Sequence, residues 1–163
     1  MRVTDIMRES FATVKPGTPL IEVARLLMQT NQRGLPVLDE KGELVGIVSE
    51  GNLLHRNELG VIPLAGNWLG RFLGREENDS ARRQMRGLLV EEIMTPAPVC
   101  VEEDATVDDV VTVMDASKVG QVPVVAAGQV IGIVSRFELI AALERCLRRT
   151  EEEVSSAPDL VRK

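Results

Sequence analysis

Two short stretches hold the polar groups best placed for chemistry. In GIVSRFE, residues 132–138, Ser135 and Glu138 stand at the spacing S-x-x-E. In GIVSEGN, residues 46–52, Ser49 and Asn52 repeat that spacing with an amide in place of the acid. Such a pair suits the start of a helix. The hydroxyl accepts from a backbone N–H that the helix leaves free, and the acid reaches back to the N–H of the Ser. Covalent chemistry finds little else to use. His55 is the sole histidine, and the chain shows no Walker-type phosphate loop, catalytic triad or metal-ligand cluster. Cys100 and Cys146 have no zinc-site spacing. Cys100 reads as a packed core thiol, and His55 as a benign cation near a helix end. The expectation is a protein that is not an enzyme, with no catalytic and no metal residues.

Bulk properties narrow the partners. The 163 residues carry a net charge of −6, which argues against a general nucleic-acid binder. Phe11, Trp68, Phe72 and Phe137 are the whole aromatic supply, too few for a base-stacking platform. Arg82, Arg83 and Arg86 form a small basic run, but acids flank it. No stretch approaches a membrane span, and the start MRVTDIM has no apolar signal region. Neither nucleic acid nor membrane is expected as a partner, and two unframed cysteines fit a reducing cytoplasm.

The elements that position the two Ser-led stretches are themselves doubled. Slid by 87 residues, DIM at 5–7 lands on EIM at 92–94, and LPV at 35–37 lands on VPV at 122–124. TPLIEVARLLM at 18–28 lands on ATVDDVVTVMD at 105–115 with similar apolar spacing. Each unit reads as a short strand near 12–14 or 99–101, a helix, two apolar runs joined by a hairpin, and a last helix opened by the Ser. Leu20, Val23, Ala24, Leu27 and Met28 form one apolar helix face, matched by Val107, Val110, Val111 and Met114. Thr18 is the expected N-cap of the first helix, with Pro19 in its first turn. Thr106 with Asp109 approximates a capping box in the second. One unit buries too little to be comfortable alone. Two packed face to face share a core and leave a cleft at their pseudo-twofold seam.

With the IM start, the LPV or VPV strand, the hairpin and GIVS before a helix all recurring in order, the chain resembles a tandem cystathionine-β-synthase (CBS) domain pair, a Bateman module. The resemblance covers about two thirds of the chain. It implies an α/β (α+β) fold of two pseudo-symmetric β-α-β-β-α units packed sheet to sheet around a cleft. The first unit is expected over 1–54, an inter-unit insert with a short amphipathic helix over 55–90, the second unit over 91–149 and a flexible tail over 150–163. It also implies a stand-alone regulatory module, binding an adenosine-containing ligand of the AMP, ATP, ADP, NAD or S-adenosylmethionine class and signalling in trans. No cofactor is obligatory. A homodimer and an unidentified protein partner are expected.

In the family the Ser or Thr hydroxyl meets phosphate at a helix N-terminus, where free N–H groups and the dipole favour an anion. An Asp three residues on accepts the ribose hydroxyls. Carried over by position, a first cleft would draw on Arg8, Ala12, Thr13, Gln32, Arg33, Leu35 and Pro36, with Ser135, Arg136 and Glu138 at the polar end. A second would draw on Thr95, Val99, Cys100, Val119, Gly120, Val122 and Pro123, with Ser49 and Asn52. The sequence departs from the pattern at the ribose acid, replaced by Asn52 in one unit and Glu138 in the other. The first cleft is favoured, because Arg8, Arg33 and Arg136 would neutralise phosphates there. The alternative is a ligand-free structural or protein-interaction module whose S-x-x-E and S-x-x-N motifs are helix caps alone. In the insert, Trp68, Leu69, Phe72 and Leu73 share a helix face that either packs on its own chain or a dimer mate, or serves as a lid or docking surface.

Overall fold

The computed structural model describes residues 1–54 and 88–156. Two three-stranded sheets carry the fold. In the first, β1 (Gly34–Leu38) pairs antiparallel with β2 (Leu44–Ser49), and β2 with β3 (Thr95–Pro96). In the second, β4 (Val101–Glu102) runs parallel to β5 (Gln121–Ala126), which pairs antiparallel with β6 (Gln129–Ser135). Helix α1 (Leu20–Thr30) precedes β1 and α2 (Glu50–Leu54) follows β2. Helix α3 (Val107–Ser117) precedes β5, and α4 (Arg136–Ser156) follows β6. The strand expected near residue 12 is a single parallel bridge, Val14 to Val37.

The repeat is folded with its leaders exchanged. Residues 1–8 leave their own unit and join the second. Val3 N–H donates to Ala105 O at 2.8 Å, and Arg8 and Ile133 exchange backbone bonds at 2.9 and 3.1 Å. Residues 88–96 do the reverse: Leu20 N–H donates to Leu88 O, Val90 N–H to Thr18 O, and Thr95 pairs with Ile47. Val3 and Ile6 therefore belong to the core of Val101, Val110, Val122, Val124 and Val134. Val90 and Ile93 belong to that of Val14, Val23, Leu35, Val37 and Val48.

This exchange explains two motifs at once. A Cβ on Gly132 would lie 2.6 Å from the Met7 sulfur, and one on Gly46 would lie 2.6 Å from that of Met94. The Gly of each GIVS is the seat of the other leader's Met. The acid of DIM and EIM holds the one-turn helix before it: Asp5 accepts from Arg2 N–H at 2.8 Å and Glu92 from Leu89 N–H at 2.7 Å.

Local expectations divide. Thr106 and Asp109 make the full capping box, with Asp109 N–H donating to the Thr106 hydroxyl at 3.2 Å and Thr106 N–H to Asp109 Oδ2 at 2.9 Å. Thr18 does not cap α1. Its hydroxyl accepts from Lys15 N–H at 3.0 Å, and Pro19 is the cap residue, because the Leu20 N–H is taken by Leu88 O. Val23 is fully buried, while Met28, at 84% exposed, leaves the packed face for the cleft described below. Cys100 is exposed rather than packed. Helix α4 continues through the acidic residues to Ser156. Residues 88–90, expected in the insert, are structured as the second leader. The Trp68 helix, the arginines at 82–86 and His55 lie outside the described residues, as do residues 157–163.

Candidate functional site

The two Ser-led helix starts face the seam from opposite units, each at the end of the second hairpin strand, β2 or β6. At β6, Ser135 N–H donates to Glu138 Oε2 at 2.8 Å, the Ser135 hydroxyl donates to the same oxygen, and Phe137 N–H donates to Ser135 Oγ at 3.2 Å. At β2, Ser49 N–H and hydroxyl donate to Asn52 Oδ1 at 2.8 and 2.9 Å. Asn52 Nδ2 then donates to the Thr95 hydroxyl at 3.2 Å, and the residue is 4% exposed. The two caps look alike but differ in freedom. Glu138 is half-buried on the rim, whereas Asn52 is enclosed with both ends of its amide in use.

A cleft of about 860 Å³ opens beside the Glu138 cap. Of the residues expected there, Arg8, Gln32, Arg33, Ser135, Arg136 and Glu138 line it. Its apolar wall comes from Ala24, Leu27 and Met28 of α1, with Leu53, Phe137 and Ile140. Pockets of this size and mixed lining hold small molecules. Arg8 Nη1 donates to Thr30 O at 3.0 Å, closing the end of α1, but its Nε is buried without a partner. Buried donors are normally paired, so this group is suited to an anion entering the cleft. Gln32 lines the cleft but spends its amide on Ala12 O and Gly34 O at 3.1 Å each, and on Ala12 N–H at 2.6 Å.

A second cleft, about 450 Å³, lies on the Asn52 side. Ser49, Thr95, Val99, Val119 and Gly120 line it, joined by Lys118, Ala97, Pro98 and Ser117. Asn52 and Cys100 do not reach its wall. Nor do Leu35, Pro36, Val122 and Pro123, which are buried in the strands and offer a ligand only backbone, and Ala12 and Thr13 lie off both walls. Although the residue is exposed, partial desolvation and then the nearby Glu102 charge raise the Cys100 thiol above its ordinary value, so it is poorly disposed to be a thiolate.

Sequence reading missed Gln121. It is 5% exposed, and it crosses the seam to donate to Gly34 O at 2.7 Å and accept from Arg33 N–H at 3.1 Å. The one available signal was a polar residue opening the apolar run QVPVV. Glu50 was missed too: its carboxylate pairs with Arg33 at 2.6 Å on the wall that both clefts share. Among the described residues no His, Cys, Asp and Glu group could hold a metal ion, and no helix is long and apolar enough to cross a membrane.

A family model described as CBS domain matches residues 3–58 and 90–145. Among curated proteins, the chain is similar to the chloroplastic CBS domain-containing protein CBSX1 of Arabidopsis thaliana. Identity is 32%, over 83% of this chain and 60% of that one. The chain thus spans about 60% of that relative's length. Among solved structures it is similar to CBSX2 in complex with AMP, at 29% identity and TM-score 0.66, covering 89% of this chain and 97% of that chain. It is also similar to the CBS domain pair of MJ0100 in complex with 5′-methylthioadenosine and S-adenosyl-L-methionine. There identity is 25% and TM-score 0.65, with 88% of this chain and 96% of the other covered.

Proposed function

The chain belongs to the CBS domain family, and from that premise we propose that it is a regulatory module, not an enzyme, whose first cleft takes an adenosine-containing nucleotide and whose occupancy is read by a protein partner. The observation that carries this reading is the juxtaposition of Arg8, Arg33 and Arg136 with the Ser135–Glu138 helix start in one cleft of nucleotide size. Guanidinium groups suit phosphate oxygens, the N-terminus of the long helix α4 adds its own positive end, and Glu138 supplies acceptors for a diol. Leu27 and Met28 offer an aliphatic wall for the base. The adenosine ligands in the CBSX2 and MJ0100 structures support the class of ligand.

Signalling requires that the ligand bind two states of the seam unequally. Phe137, Ile140, Leu143 and Leu147 are each more than half exposed along α4. They support pairing with a second copy, through which such a change would pass. A cytoplasmic setting belongs to the same proposal. Closure of both caps by their own side chains, Ser135 with Glu138 and Ser49 with Asn52, favours the second reading, an interaction module whose motifs are helix caps alone.

Calorimetric titration with AMP, ADP, ATP, NAD and S-adenosylmethionine separates the two readings. Micromolar binding that weakens at least 10-fold in Glu138→Ala and little in Asn52→Ala is the expected result. Heat from no ligand, in folded protein, would leave the caps as the whole role of both motifs.

A further inference from the structure

Arg33 occupies a position that the pseudo-twofold does not reproduce. Its counterpart in the second unit is Gly120, and the counterpart of its partner Glu50 is Arg136. The backbone half of the arrangement is symmetric: Glu50 N–H donates to Arg33 O at 3.2 Å, and Arg136 N–H donates to Gly120 O at 3.3 Å. The side-chain half is not. Arg33 and Glu50 line both clefts, so the wall between the two sites carries one guanidinium and one carboxylate. The Arg33 backbone is fixed by the buried Gln121 through its N–H, yet its side chain is 65% exposed and, among the described residues, is held by Glu50 alone. An exposed ion pair of this kind is weakly bound, so the guanidinium can be drawn to either side.

We propose that Arg33 is a shared anion ligand, which makes occupancy of the two clefts by phosphate-bearing ligands mutually antagonistic. The inference rests on the nucleotide reading above and adds regulation to it. A phosphate entering the first cleft joins Arg8 and Arg136 and draws Arg33 away from Glu50. The second cleft then keeps the Glu50 carboxylate uncompensated, with Lys118 as the remaining cation among the described residues. A phosphate in the second cleft removes Arg33 from the first in the same way. Coupling of this kind is reciprocal, with the same factor read from either site.

The test is calorimetry with AMP and with ATP on the wild-type chain, Arg33→Ala and Glu50→Gln, with circular dichroism confirming the fold of each. In the wild type the second ligand should bind at least about 5-fold more weakly than the first. In Arg33→Ala both clefts should weaken and their affinities become independent. Glu50→Gln should tighten the first binding event by a few-fold, since Arg33 no longer leaves a carboxylate behind. Independent sites in the wild type, a coupling factor unchanged in Arg33→Ala, or one ligand per chain in both proteins would overturn the proposal while leaving the nucleotide reading intact. No binding of either nucleotide to the wild type would overturn both.

Discussion

The two units repeat one another closely in backbone and diverge at the seam, where the chemistry is. The second hairpin strand of each unit, β2 or β6, seats the other leader's Met on a Gly, at the same 2.6 Å to the sulfur from an added Cβ. Each ends in a Ser that opens a helix. Yet one cap is closed by a half-buried Glu138 beside three arginines, and the other by an enclosed Asn52 bonded to Thr95. Backbone symmetry is thus kept by the core, which has one way to pack. The walls of the clefts are under no such constraint and have become two different surfaces.

The sharpest way to break the comparison is at the glycines. Gly132→Ala and Gly46→Ala should each destabilise the fold by about 1–3 kcal/mol, the usual range for overpacking. The two differ in what must give: at Gly132 the Met7 side chain alone crowds the new Cβ, with Cγ and Cβ at 2.9 and 3.2 Å, whereas at Gly46 the Thr95 backbone oxygen also stands at 3.1 Å. Gly17→Ala, with nothing within 4 Å of its Cβ, should be near neutral in the same denaturant titration.

The two buried glutamines come next. Gln32→Ala unpairs the N–H and the O of Ala12 within the first unit, and Gln121→Ala unpairs the Arg33 N–H across the seam, while Gly34 O, to which both glutamines donate, keeps one partner in either variant. Each should cost about 1–2 kcal/mol, since a buried group left unsatisfied bears its full desolvation penalty. Only Gln121→Ala should also increase hydrogen exchange at the Arg33 amide.

The helix caps give a smaller contrast. Thr106→Ala should lower stability by about 1 kcal/mol, whereas Thr18→Ala, which removes only a turn contact, should stay within about 0.5 kcal/mol of wild type. The hydroxyl and then the backbone N–H of Thr106 hold the Asp109 carboxyl below its ordinary value. Its contribution is therefore complete above the ordinary carboxylate range and fades as pH falls through the lowered value. Melting curves of wild type and Asp109→Ala should converge at the acid end and stay apart at pH 7.

The smallest effect concerns the hairpins. The second has two central residues, Ala127 and Gly128, both at positive φ, at 49° and 79°. Such a turn favours Asn-Gly, so Ala127→Asn should raise the thermal midpoint by about a degree or two, in proportion to the cost of left-handed Ala. The first hairpin has no equivalent gain. Asp39 Oδ1 already accepts from Lys41 N–H and Glu43 N–H at 2.9 Å each, and Gly42 supplies the positive φ.

Much of this was legible in the sequence because it is local. The apolar period of α1 and α3, the Thr106–Asp109 box and the two Ser-led helix starts depend on neighbours three or four residues away. The leader exchange is not local. DIM and EIM give the same signal whichever sheet they join, and units that share these motifs make exchanged and unexchanged pairing equivalent on paper. Thr18 was displaced as a cap for the same reason, since the Leu20 amide goes to Leu88, a residue 68 positions distant. In the clefts, Arg33, Ser135 and Glu138 could be placed by position from the family resemblance. The Arg33–Glu50 pair and the Gln121 bridge could not, because they depend on which faces meet at the seam.

The exchanged leaders also set an order of events during synthesis. The first eight residues are among the last to find their places, since Ala105 and Ile133, which receive them, are made much later. At ribosomal rates of about 5–20 residues per second, Val3, Ile6 and Met7 wait on the order of ten seconds with their apolar faces unclaimed. The first sheet likewise lacks its third strand until Thr95 emerges. The nascent first half is therefore an unfinished product, and the two halves close on one another only after Ile133 has left the ribosome.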